Sequence, residues 1–372
     1  MLLSVGRYSS DDVPEHLALM RGRSIARWGA IPEPAELPDP RPGEGEVLVQ
    51  VEACGVGLTV VNCIRGDLGN DPGDLPRVPG HEFVGTVVAT GEGVPRDRIG
   101  RRVAAYFYLF CGACPRCLAG EESLCEALAG FIGVHRDGGY AEFALLPERN
   151  AIPIPHGLDP VLSTTIPDAI ATPVHVAGRA RIGPGDRVAV VAAGGGVGVH
   201  MVQVARVYGA EVAGLDVDPA KLAYLRDELG VPAADSADFG AVLLPPAWGG
   251  RADVVIDLLG TPASLTWSLA HLATGGRLVV LTTFPDVDFA VSPRDLVFAQ
   301  GEIIGSRYAS RHEVVHSARL VAEGRVRPVV GARAGIDDVH EIHAALHEGR
   351  LLGRGALVWA DAARQRPRDG AM

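Results

Sequence analysis

The stretch from Arg187 to Asp218, RVAVVAAGGGVGVHMVQVARVYGAEVAGLDVD, constrains the fold more than any other part of the chain. An apolar run rich in valine, RVAVVA, gives way to a glycine-rich turn. An amphipathic segment of helical period follows, and a second apolar run, EVAGLD, closes the unit. A buried strand, a turn, a helix and a second buried strand make a βαβ unit, the element from which helix-covered parallel sheets are built. RADVVIDLLG and GRLVVLTTF supply later strands of the same kind.

Within that unit the turn reads Ala193, Gly194, Gly195, Gly196, Val197, Gly198. Glycines allow a tight turn and let backbone N–H groups approach a pyrophosphate, whose charge the helix N-terminus favours. A glycine turn alone also serves simple packing. Here the context is complete: strand before, helix after, and a second strand ending in Asp216, 18 residues beyond Gly198. A carboxylate there accepts hydrogen bonds from adenosine ribose hydroxyls and repels a 2′-phosphate, with Asp218 adding to the repulsion. NAD(H) is therefore expected over NADP(H). Ala193 stands at the first glycine position of GxGxxG and tolerates the turn less easily.

Four cysteines fall within fifteen residues: Cys111, Cys114, Cys117 and Cys125, in CGACPRCLAGEESLC. This CxxCxxCx7C spacing points to a closed tetrathiolate site for one tetrahedral ion, with zinc preferred and a structural role. A disulfide pair or a redox CxxC is the competing reading, disfavoured in a chain without an export signal.

Upstream, EVLVQVEACGVG alternates apolar and polar residues as a half-buried strand does, and FVGTVVAT and RVAAYFYL are further β-like runs between Gly and Pro punctuation. The first third is mostly β, with the cysteine lobe inserted into it, and the character changes near residue 170. Beyond about residue 310 the chain is expected to return to the first domain through HEVVHSARLVAEGRV and the closing strand GRGALVWA. Residues 1 to about 22 have no clear periodicity and read as an extension. The 372 residues argue for two domains at the usual ~100–200 residues each. A formal charge of −11 with no Lys/Arg block argues against nucleic acid or an anionic membrane as partner. With no basic-then-apolar leader and no run near ~18 apolar residues, a soluble cytoplasmic protein acting on a small molecule is expected.

A tetrathiolate lobe in a β-rich first domain followed by a dinucleotide-type βαβ unit resembles the zinc-containing alcohol dehydrogenases of the medium-chain dehydrogenase/reductase family. The matching segments include Gly80, His81, Glu82 (GHE), Gly185 to Val188 (GDRV), and Asp216 followed by Lys221. The resemblance covers about residues 23 to 360. It implies an α/β chain with a GroES-like catalytic domain over 1–171 and 312–372, and a Rossmann doubly wound parallel sheet over 172–311. It further implies a homodimer or homotetramer, Thr172 near the nicotinamide, Arg354 on the pyrophosphate, and Lys221 among the cofactor residues.

The chain departs from the family at the catalytic metal. Typical members carry a segment like ACGVCHTDLH, whose second cysteine is the first ligand of a catalytic zinc; the GHE histidine is the second. Here the segment runs from Ala53 to Asn62 as ACGVGLTVVN. Gly57 stands at the ligand cysteine, Val60 at the aspartate that orients the ligand histidine, and Asn62 at the relay histidine. Gly66 keeps the spacing. His81 and Asp168 remain as family ligands, with Glu82 beside the first, whereas catalytic zinc normally has three protein ligands plus water. Cys54 and Cys63 do not reach the vacant position without remodelling.

The first functional expectation is thus an NAD(H)-dependent oxidoreductase without catalytic zinc. Thr59, Asn62, His81 and Asp168 would form the catalytic set, acting on a small carbonyl, alcohol or conjugated enone. A zinc alcohol dehydrogenase with a metal site rebuilt from His81, Glu82 and Asp168 is the second. A lyase or isomerase using bound NAD in transient redox, and a non-catalytic NAD-binding protein, are the others. His175, His271 and His340 have no motif around them and read as ordinary core or surface histidines.

Overall fold

The computed structural model describes residues 19–283 and 287–359, and the chain forms an α/β fold around two main sheets. Residues 1–18 of the expected extension lie outside the described residues. Its last part does not behave as an extension, because Leu19–Ser24 pairs antiparallel with Glu33–Pro38.

The second sheet has six parallel strands in the spatial order Ala233–Asp235, Glu211–Asp216, Arg187–Val191, Ala252–Asp257, Leu272–Val280 and Glu302–Gly305. Numbered along the chain this is the order 3-2-1-4-5-6 of a doubly wound dinucleotide fold, whose ligand crevice lies at the carboxyl ends of the central strands. Side-chain alternation explains why the first strand is apolar throughout. Val188 and Val190 join the core on one face of the sheet. Ala189 and Val191 join the core on the other.

The other sheet is mostly antiparallel and has seven strands. Glu46–Val56 lies at its centre, pairing with Glu82–Thr90, Phe143–Pro147 and Arg354–Val358. The chain leaves this sheet after Ala151–Pro153, builds the parallel sheet, and returns through helix Arg311–Ala322 to Val330–Gly335 and Arg354–Val358. A capping box starts that return helix: Ser310 Oγ accepts from the Glu313 amide while the Glu313 carboxylate accepts from the Ser310 amide. Among the described residues, no helix is long and apolar enough to cross a membrane.

Candidate active site

Register brings the site together. The strand Arg354–Val358 pairs antiparallel with Glu46–Val56, Gly355 against Val56, so the next residues along the ladder are Arg354 and Gly57. Gly57 is extended and precedes helix Leu58–Arg65 without offering a side-chain cap. A Cβ at position 57 would lie 1.9 Å from Nη1 and 2.4 Å from Cζ of Arg354. The guanidinium therefore fills the space that any side chain at position 57 would need. Its Nη2 lies 3.0 Å from Glu82 Oε1 and 3.1 Å from Asp168 Oδ2, the latter a hydrogen bond. Arg354 is 4 % exposed, and its Nε is buried without a partner.

Around this cation stand His81 and Glu82 from one segment and Asp168 from another. His81 is buried at the start of strand Glu82–Thr90, its ring over Phe107 with centroids 4.2 Å apart. Its Nε2 lies 3.5 Å from Asp168 Oδ2 and 3.6 Å from Glu82 Oε1, and both ring nitrogens lack a hydrogen-bond partner. Asp168 sits in a single π-turn over Ile166–Ile170, a local widening of the helix often found at functional positions. The turn runs into helix Ala171–Arg179, from which Thr172 Oγ1 donates to Asp168 Oδ1 at 2.8 Å.

Environment sets the two carboxyls apart. Burial alone would raise Asp168, but the His81 contact, the Arg354 charge and the Thr172 hydroxyl together hold it well below the usual carboxylate range. Glu82 is pushed up to about 8 by burial, the Arg354 charge opposing the rise and the Asp168 charge adding to it. Near neutrality the cluster thus pairs one guanidinium with one firmly ionised carboxylate.

His81, Glu82 and Asp168 each offer a ligand atom, and these atoms lie within 4.8 Å of one another. Taken alone they could grip an ion. With Arg354 they fit one poorly, because the same two carboxylate oxygens already hold Nη2 at 3.0 and 3.1 Å, and an ion bound there would share them with a buried guanidinium. The buried like charges would also repel strongly. Neither spare cysteine joins the cluster. Cys54 and Cys63 are buried, and burial pushes both thiols up, so they remain protonated.

Thr59 and Asn62 lie half-buried on helix Leu58–Arg65, one turn apart on the helix that begins at Gly57. Asn62 Oδ1 accepts from Arg65 Nη2 at 2.9 Å, which fixes the amide.

The glycine turn stands beside the same guanidinium. A Cβ on Gly196 would come within 2.6 Å of Arg354 Nη1, one on Gly194 within 2.5 Å of Lys221 Cβ, and one on Gly198 within 2.2 Å of Ala192 O. These three positions need glycine for protein packing, while Gly195 meets only Ala192 O at 3.3 Å. The left-handed residue of the turn is Ala192, with φ 58°, rather than Ala193. Helix Gly198–Val207 begins at the end of this turn without a side-chain cap, and a helix N-terminus of that kind favours an anion.

Several expected cofactor residues have other partners here. The Asp216 carboxylate accepts from the amides of Gly194 at 2.8 Å, Val217 at 2.9 Å and Asp218 at 3.2 Å. Asp218 caps helix Pro219–Asp227 through the Ala220 and Lys221 amides, so its side chain serves the helix. Lys221 Nζ donates to Gly349 O at 2.6 Å, Thr172 holds Asp168, and Arg354 meets the two carboxylates through Nη2 while its Nη1 lies beside Gly196.

His200 carries a role that no motif in the sequence marks. Its Nδ1–H donates to Gly196 O at 2.7 Å and its Nε2 accepts from the Val329 amide at 3.0 Å, which ties the glycine turn to the returning chain. Only its position one turn into the helix hinted at this. His175, expected to be unremarkable, pairs through Nδ1 with Glu313 at 3.0 Å.

In the lobe, Cys111, Cys114, Cys117 and Cys125 place their sulfurs within 4.8 Å of one another, with Sγ–Sγ distances of 3.9, 3.5 and 4.0 Å for three of the pairs. Four sulfurs about 2.3 Å from a tetrahedral ion would be about 3.8 Å apart, so this cage fits zinc. Amides of Ala113 and Cys114 donate to Cys111 Sγ, as suits a thiolate.

Residues 43–156 match the family model described as alcohol dehydrogenase GroES-like domain, and residues 196–323 match zinc-binding dehydrogenase. L-galactonate-5-dehydrogenase of Escherichia coli is 32 % identical over 77 % of this chain and 83 % of its own length. Acryloyl-coenzyme A reductase of Metallosphaera sedula is 30 % identical over 88 % of this chain and 96 % of its own. The solved structure of a thermostable alcohol dehydrogenase from Pyrobaculum aerophilum superposes with a TM-score of 0.83 at 30 % identity, covering 92 % of this chain and all of that one.

Proposed function

The chain belongs to the zinc-type alcohol dehydrogenases of the medium-chain dehydrogenase/reductase family, and from that premise we propose that it is an NAD(H)-dependent oxidoreductase working without a catalytic metal. The observation that carries the reading is the Arg354 guanidinium, seated against Gly57 and shared by Glu82 and Asp168. With the dinucleotide bound at the glycine turn, its nicotinamide would supply or accept the hydride. Helix Gly198–Val207 would meet the pyrophosphate, and the buried Asp216 carboxylate favours NAD(H) by repelling a 2′-phosphate.

The substrate class is a small carbonyl, alcohol or conjugated enone. Thr59 and Asn62 would orient it, and His81, with two unpartnered ring nitrogens, would exchange a hydrogen bond with its oxygen. Conjugate reduction makes the lighter demand on such a site, because charge spreads into an enolate. The likeness to an acryloyl-coenzyme A reductase supports that branch. One zinc would sit in the cysteine lobe. Self-association as a homodimer or homotetramer is supported by the edge strand Glu302–Gly305 and by Val297 and Phe298, which are 70 % and 73 % exposed.

A screen of NADH oxidation over enones, aldehydes and ketones, and of NAD reduction over alcohols, tests this. Turnover of at least one class should survive a strong chelator while the lobe zinc is retained. Turnover that vanishes on chelation and returns with added zinc, the lobe remaining loaded throughout, would overturn the reading.

A further inference from the structure

We propose that Arg354 is the resident cation of this active site, its guanidinium holding the place among His81, Glu82 and Asp168 that an ion would otherwise take, and that Gly57 is the residue that admits it. This rests on the metal-independent reading above and assigns that independence a cause.

First, three donors remain. A buried imidazole with two orphaned nitrogens and two buried carboxyls lie within 4.8 Å of one another, which is what an ion-binding cluster looks like. Loss of a single cysteine position does not abolish such a cluster, since three donors suffice for a zinc site that keeps water as its fourth ligand. Something else must keep an ion out.

Second, the guanidinium is committed to the cluster in a way only position 57 permits. Nη2 spans Glu82 and Asp168, while Nη1 lies 1.9 Å from where a Cβ on Gly57 would stand. Even alanine there would force Arg354 aside. A guanidinium is always protonated and planar and carries several N–H groups, so one nitrogen can serve both carboxyls while another stays free. Nη1 is left free of both carboxylates and lies toward Gly196 and the glycine turn, so positive charge and an N–H donor remain on the cofactor side.

The test uses the full-length protein with its lobe zinc in place, and Zn2+ and Co2+ alone as probes. After equilibration with either ion and desalting, the unmodified protein should hold the lobe ion only. Arg354→Ala and, independently, Gly57→Ala should each take up one additional ion per chain, with cobalt bands that disappear when His81→Ala is added. The Gly57 variant keeps the arginine, so the result does not depend on the Arg354 variant folding. No additional ion in either variant would overturn the assignment of Arg354 and leave the metal-independent reading standing. A His81-dependent second ion in the unmodified protein would overturn both.

Discussion

Removing the Asp168 carboxylate should be among the most damaging single changes in the chain. It accepts from Thr172 Oγ1 at 2.8 Å and from Arg354 Nη2 at 3.1 Å, and lies 3.5 Å from His81 Nε2. Asp168→Ala leaves a buried guanidinium and a buried hydroxyl without their partner. Breaking a buried charge pair from one side costs about 3–5 kcal/mol. The structure favours the lower end: with Asp168 gone, the like charge that helps raise Glu82 also goes, so Glu82 ionises more readily and takes over part of the pairing. We expect a loss of about 3 kcal/mol in urea unfolding followed by fluorescence. Asp168→Ala combined with Arg354→Met should lose less than the two single changes added together, with a coupling of at least about 1 kcal/mol. A single-variant loss below about 1 kcal/mol, or strict additivity, would refute the claim that this pair is buried and mutually dependent.

Three further outcomes follow from other parts of the fold. Cys114→Ser should release zinc from the lobe and lower the melting temperature; retention of one zinc per chain by the purified variant would contradict the tetrathiolate cage. Asp216→Ala should narrow the preference for NAD(H) over NADP(H) in calorimetry by weakening the first and relieving the second, and an unchanged ratio would place the ribose elsewhere. Burial pulls His200 down to about 4, against about 6.5 unfolded, so the unfolded chain takes up a proton that the folded one refuses. Stability should therefore fall as pH drops from about 6.5 to about 4, by on the order of 3 kcal/mol, and His200→Gln should flatten that slope.

What the sequence made legible was local. The βαβ unit could be read because strands covered on both faces are apolar throughout, as Val188 to Val191 are, and because the glycine turn follows at once. The lobe could be read because its four cysteines lie close along the chain. Gly57 could be identified as a missing ligand only by resemblance. The direction of Arg354 was not legible, since it depends on a strand pairing between residues some three hundred positions apart and on a Cβ that is absent. The motif drew attention to Ala193, at the first glycine position, whereas the positive φ of the turn falls on Ala192, one residue earlier, which no motif position marks.

The most direct test of the central claim is a crystal of the unmodified protein with NADH, grown with zinc present and measured on both sides of the zinc absorption edge. We expect one anomalous peak per chain, inside the cage of Cys111, Cys114, Cys117 and Cys125, and guanidinium density between Glu82 and Asp168. A second peak of comparable height bound by His81 and Asp168, with Arg354 displaced from Gly57, would contradict it.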